Sequence, residues 1–192
     1  LDNSVEPSHT LMNNSRYVDI MNNWNWSTVL VNSHGVSADD IATDSMGNIY
    51  IVGTIEGQPE LANSSSFFDS EIKLGQNIFV AKYTELGQLL WLTQAGGNGT
   101  DVGRGIIVHE TINQQVRIFV TGHFQVSSID DNQQRTDYDI SLGDDVQYVD
   151  LIGEKVPFLA RLTSSGTWDW AQVASGTGNN GTSNDITIDG SN

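Results

Sequence analysis

Cysteine is absent from all 192 residues, which excludes disulfides and thiolate metal sites and leaves the redox compartment open. Basic residues are scarce: 8 Lys and Arg stand against 24 Asp and Glu, for a formal net charge of −16. Affinity for nucleic acid rests on Lys and Arg displacing counterions from phosphates, so neither nucleic acid nor an anionic membrane surface fits as a partner. No apolar run approaches the roughly 20 residues of a spanning helix, so membrane insertion is not expected. Proline occurs 3 times, and no apolar stripe follows the helical period of about 3.6 residues. There is no Gly-x-Ser-x-Gly elbow and no thiol nucleophile. No catalytic residue is assigned, and the chain is expected not to be an enzyme.

What remains is rich in turn formers, including 19 glycines, the composition of many short strands joined by tight turns. Within it lies an internal repeat. Gly47–Thr54 (GNIYIVGT) returns as Val116–His123 (VRIFVTGH), and Ile78–Gly97 returns as Pro157–Gly176. In the second pair Phe79, Ala81, Lys82, Gly87, Trp91 and Gly97 match Phe158, Ala160, Arg161, Gly166, Trp170 and Gly176, all offset by 79 residues. A third copy opens near Trp24-Asn25-Trp26, which has the pattern of Trp168-Asp169-Trp170. An isoleucine follows the second tryptophan after fifteen, fifteen and sixteen residues (Ile41, Ile106, Ile186).

Each unit reads as four short strands, clearest at Asp40–Asp44, Ile49–Gly53, Ile78–Tyr83 and Leu89–Gln94. The second and third strands are apolar on both faces and must be covered on both. Radially stacked blades of four antiparallel strands meet that demand. The expected fold is therefore all-β, with propeller-type blades. Residues 1–23 form an N-terminal segment or linker, and 24–192 the repeat region. Blade units fall at approximately 38–94 and 101–173, and a further blade opens with a strand at 184–188. That is nine strands, a little over two blades, where closed propellers hold about four to eight.

The run D-I-A-T-D-x-x-G-N-I-Y-I-V-G-T followed by F-V-A-K-Y-x-x-x-G-x-L-L-W (Asp40–Thr54, Phe79–Trp91) resembles the SBBP repeat of bacterial secreted and surface proteins. The resemblance covers about residues 24–190 apart from the long inter-strand loops. It is degraded in the second unit, where Arg104-Gly105-Ile106 replaces Asp39-Asp40-Ile41. It implies a β-propeller and an extracellular setting, at a cell or particle surface, and supplies no catalytic residue. The function expected is a non-enzymatic structural or interaction module, with other proteins or copies of itself as partners. The alternatives are a lectin-like propeller or adhesin that binds glycans, and a propeller glycosidase or lyase.

Four local features are weighed against that frame. Gly176–Gly181 matches G-x-G-x-x-G, but a dinucleotide site needs a helix after it, and a strand is expected here. The loop Asp130–Asp150 is acidic, and Asp137, Asp139 and Asp145 are its candidates for Ca²⁺. Ser141 takes a ligand position and no bidentate Glu closes the site at Tyr148, so a solvated insertion without a tight metal is expected, and no cofactor. His9, His34, His109 and His123 share no metal-ligand spacing. Trp26, Trp91 and Trp170 occupy one equivalent position and are read as packing between units. Trp24 and Trp168 are assigned to the other face of that strand, as the exposed aromatics available to a ligand.

Overall fold

The computed structural model describes residues 35–57, 75–97, 99–113, 115–125, 140–142, 146–148, 155–174 and 180–189. Among these there is no helix. The strands are β1 (Val36–Thr43), β2 (Ile49–Glu56), β3 (Gln76–Tyr83), β4 (Leu89–Gly96), β5 (Val102–Glu110), β6 (Val116–Gln125), β7 (Ile140–Leu142), β8 (Val146–Tyr148), β9 (Lys155–Thr163) and β10 (Trp168–Val173). Four of them, in the order β1-β2-β3-β4, make one antiparallel sheet, and β5-β6-β9-β10 make the next. The two units expected from the repeat are thus two separate four-stranded sheets, as propeller-like blades require.

The turns explain why these strands pair as they do. Asp44, Thr84, Thr111 and Thr163 each open a hairpin turn by donating N–H to the carbonyl four residues on, at 2.8–3.1 Å. In three of the turns the same residue's carbonyl accepts the N–H of a glycine, Gly47, Gly87 or Gly166, with φ of 80–86°. That is a three-residue hairpin loop whose last residue needs the left-handed region, which glycine enters without a Cβ penalty. The side-chain oxygen of each opening residue also takes the N–H four residues on, at Asn48, Gln88, Gln115 and Thr167.

Apolar burial follows the two-faced pattern of the strands. On the face of the first sheet toward the second, Tyr50, Val52, Ile78 and Val80 join one core with Ile106, Ile118, Val120, Phe158, Ala160 and Leu162. The opposite face of the first sheet buries Ile55, Phe79, Ala81, Tyr83 and Leu92. Close approach of backbones makes two glycines indispensable. A Cβ at Gly53 would collide with the Ser37 carbonyl, and one at the matching Gly122 with the Val102 carbonyl.

Three expectations need correction. The first sheet has six strands, because β7 and β8 form a hairpin that pairs onto β4 through Ala95↔Leu142 and Gly96↔Ser141. The segment expected as a solvated acidic insertion thus supplies, in this part, a cover for a sheet edge, and Leu142 is fully buried. The strand expected at 184–188 has no β-ladder, since residues 181–189 run with no second strand beside them among the described residues. β1 begins earlier than expected, at Val36. Val36–Ala38 pair with Ile55–Gly53, and the chain then bulges before Asp40 resumes the ladder opposite Val52.

Candidate interaction surface

The two sheets meet through their inner strands. β5 lies against both β1 and β2, and Gly103 sits so near β2 that a Cβ there would be 3.1 Å from the Gly53 carbonyl oxygen. Bulges at matching places, Ala38/Asp40 in β1 and Gly103/Gly105 in β5, leave Asp39 and Arg104 unpaired in the ladders and free to meet. Arg104 Nη1 donates to Asp39 Oδ1 at 2.6 Å. The Asp40 carboxylate accepts two backbone N–H groups, from Ile41 at 2.8 Å and, across the gap between sheets, from Ile106 at 2.9 Å.

At the hairpin end the sheets are tied again. Glu110 accepts from the backbone N–H and the hydroxyl of Ser45. Trp91 Nε1 donates to the Ser164 carbonyl at 3.1 Å, and Gly166 lies against the indole, where a Cβ would fall 2.7 Å from Trp91 Cδ2. Asp44 anchors this end of the first sheet. It accepts from the N–H groups of Met46 and Asn48, from Asn48 Nδ2 and from the Tyr50 hydroxyl at 2.8–3.0 Å. Burial works against its charge, but the bonds from Asn48 and Tyr50 and the nearby Lys82 outweigh it and hold the carboxyl below its ordinary range. Burial and the same carboxylate push the Tyr50 phenol well above its usual value.

The hairpin tips carry the most exposed large apolar side chains of the described residues: Ile112 at 87%, Leu86 at 77% and Met46 at 70%. They share one end of the two sheets, since the β1–β2, β3–β4 and β5–β6 turns all lie there. Gly47 approaches the Glu85 side chain and Ser45 binds Glu110, so the three turns are neighbours. Sequence reasoning missed this cluster. The signal was an apolar residue inside each turn, where no core demands one.

The tryptophans need a correction. Trp168 is 2% exposed and donates Nε1–H to the Gln94 carbonyl at 3.1 Å, so it is no platform for a ligand. A bulge skips Asp169, pairing Trp168 with Leu162 and Trp170 with Arg161, which turns the two indoles to opposite faces. Trp168 faces the first sheet, and Trp170 lies half-buried on the far face with the Arg161 guanidinium 5.6 Å from its ring centre. Trp24 lies outside the described residues, as do Asp137, Asp139 and Asp145 and the histidines His9 and His34. Among the described residues no group of three or more His, Cys, Asp or Glu is placed to hold a metal. Gly181, which ends the G-x-G-x-x-G run, is followed by extended chain rather than a helix.

His123 is a buried side chain that sequence reasoning left at the surface. It is 3% exposed, and no partner reaches its Nδ1. Burial, with Lys155 and Arg104 nearby, lowers its pKa from 6.5 to about 4, so the ring is neutral near pH 7.

No family model matches the chain. Over 83 residues, 41% of its length, it is 37% identical to an uncharacterized WD repeat-containing protein of Acanthamoeba polyphaga mimivirus. The chain spans about 6% of that relative.

Proposed function

We propose that this protein is a non-enzymatic protein-interaction module, built from propeller blades of the SBBP type and displayed at a cell or particle surface. The observation that carries the reading is the cluster of turn tips. Stacked sheets hold three short hairpins rigidly side by side, and those hairpins expose Met46, Leu86 and Ile112 to solvent. Exposed apolar residues grouped on one face mark sites of protein contact. Rigid turns lose little entropy when a partner orders around them. The likeness to a WD repeat-containing protein supports a repeat-built interaction module.

The partner is another protein with an apolar contact patch, rimmed by basic residues to match Glu85, Glu110 and a net charge of −16. The test places a photoreactive residue at Met46, Leu86 or Ile112, with Asp169 on a different surface as control. Cross-linking of one partner from the three tips, lost in a Met46→Ser, Leu86→Ser, Ile112→Ser variant that still folds, is the expected result. Equal labelling from Asp169, or an unchanged partner in the triple variant, would refute the assignment.

A further inference from the structure

Residues 180–189 lie across the second sheet as a strap. Asn180 bridges Lys155, Gly181 N–H donates to the Lys155 carbonyl at 3.0 Å, and Ser183 N–H approaches the Gly122 carbonyl at 3.4 Å. Gly181 stands against Pro157, where a Cβ would fall 3.2 Å from the ring, and the Ser183 hydroxyl lies 2.7 Å from that of Thr121. Further along, Asp185 accepts the N–H of Ile186 at 2.7 Å, as Asp40 accepts that of Ile41. Among the described residues no ladder holds 181–189, so lifting the strap leaves the β5-β6-β9-β10 pairing intact. Segments held in this way open more readily than the whole fold unfolds.

His123 lies under this strap. It pairs with Pro157 across β6 and β9 and stands two residues from Thr121, so all three share one face. The strap touches Pro157 through Gly181 and Thr121 through Ser183. Beside them the imidazole is 3% exposed, with no partner at Nδ1. A second ring proton would put an unpaired charge into that closed space. Arg104 from β5 and Lys155 from β9, both cations, oppose it further. The carboxylates of the packed elements are engaged elsewhere. Asp101 accepts from Gly97 and Gln125 N–H at 2.7 and 2.9 Å, Asp185 is turned to Ile186, and Asp189 stands at the strap's far end. The other titratable groups of these strands, His109, Glu110, Arg117 and Arg161, lie four or more residues along the ladder toward the hairpin turns. In the first sheet Thr54, which takes up no proton, holds the matching place.

We propose that residues 180–189 are an acid-released strap and that His123 is its trigger: protonation of the buried imidazole lifts the strap from β6 and β9 and bares the Thr121–His123 end of that face. With the strap down the ring titrates at about 4, and with the strap lifted it meets water and returns to the ordinary 6.5. The lifted form therefore takes the proton first as pH falls. The ratio of lifted to closed chains should rise about 20-fold between pH 7 and pH 5. The turn tips lie at the other end of β6, so this device and the turn-tip contact can fail separately.

Amide hydrogen exchange in the whole chain, corrected for the intrinsic rate at each pH, tests the device at Gly181. In the parent this amide should exchange faster than the β6–β9 ladder at every pH, and its opening ratio should gain about 20-fold between pH 7 and pH 5. In His123→Thr, which carries the first sheet's residue, the gain should fall below about 2-fold. Thr121→Cys with Ser183→Cys, joined by oxidation, should slow Gly181 at pH 5 by about 10-fold or more, and reduction should restore the faster exchange. An opening ratio unchanged from pH 7 to pH 5 in the parent overturns the proposal. So does a gain that survives His123→Thr, or a Gly181 amide that the closed disulfide does not slow.

Discussion

Val80 and Leu159 hold the same place in two sheets with the same strand pairing and aromatic pair, and differ in what lies on top of them. Val80 is fully buried and Leu159 is 37% exposed. A strand apolar on both faces does not by itself say where its cover comes from. An apolar face is a demand, and only the neighbour in space meets it. The largest effect expected from this comparison is between Val80→Asp and Leu159→Asp. The first places an unpaired charge in a sealed core and should cost about 4 kcal/mol or more, the second under about 1 kcal/mol. Urea unfolding of both variants checks it, and equal losses would mean that the second face is covered within this chain.

His123 sets the second sheet apart again, because Thr54 stands at its position in the first (Gly53-Thr54 against Gly122-His123). The folded pKa of about 4 lies below the ordinary 6.5. The unfolded chain therefore takes up a proton first as pH falls, and stability present above about 6.5 is lost down to about 4. The loss should be ~2–3 kcal/mol across that window. Thermal melts at stepped pH should show it in the parent and show a flatter profile in His123→Thr. Parallel curves would remove His123 as the cause.

The hairpin turns provide a third contrast. Asp44 accepts four hydrogen bonds, and Thr111, at the matching place, accepts one from Gln115 N–H with its side chain. Asp44→Ala should cost about 2 kcal/mol and Thr111→Ala about 1 kcal/mol, read from denaturant midpoints at unchanged m-value. The smallest effect belongs to the tryptophans. Trp91→Phe loses the bond to the Ser164 carbonyl and should cost about 1 kcal/mol, whereas Trp170→Phe should stay within about 0.5 kcal/mol. A Trp170→Phe loss as large as that of Trp91→Phe would show that its indole is already held.

Much of the fold was legible because its signals are local. The Asp-x-x-Gly-Asn turn, the paired Gly87 and Gly166, and the apolar runs of β2, β3, β6 and β9 each state a hairpin within a dozen residues. What escaped depends on bulges and on contacts far apart in sequence. With Asp169 skipped, Trp168 rather than Trp170 lies against the first sheet, and a bulge leaves no mark in the apolar pattern. The β7–β8 hairpin comes from an acidic stretch whose composition reads as solvated. Its pairing partner, β4, lies over 40 residues away, between Ala95 and Leu142. Met46, Leu86 and Ile112 stand at turn positions, where sequence signals backbone geometry and not exposure.

Asp40 holds the N–H of its own Ile41 and also that of Ile106 in the next sheet. Position 105 is thereby released from the duty that Asp40 and Asp185 perform at matching places. A glycine stands there, and a Cβ in its stead would press to 3.1 Å from Asp185 Cα and 3.3 Å from Ile186 N. Copies of a repeat can thus drift apart and stay compatible, provided that the upstream copy keeps the residue its neighbour has shed. An aspartate at 105 would match Asp40 and Asp185 and yet press on the chain at Asp185 and Ile186.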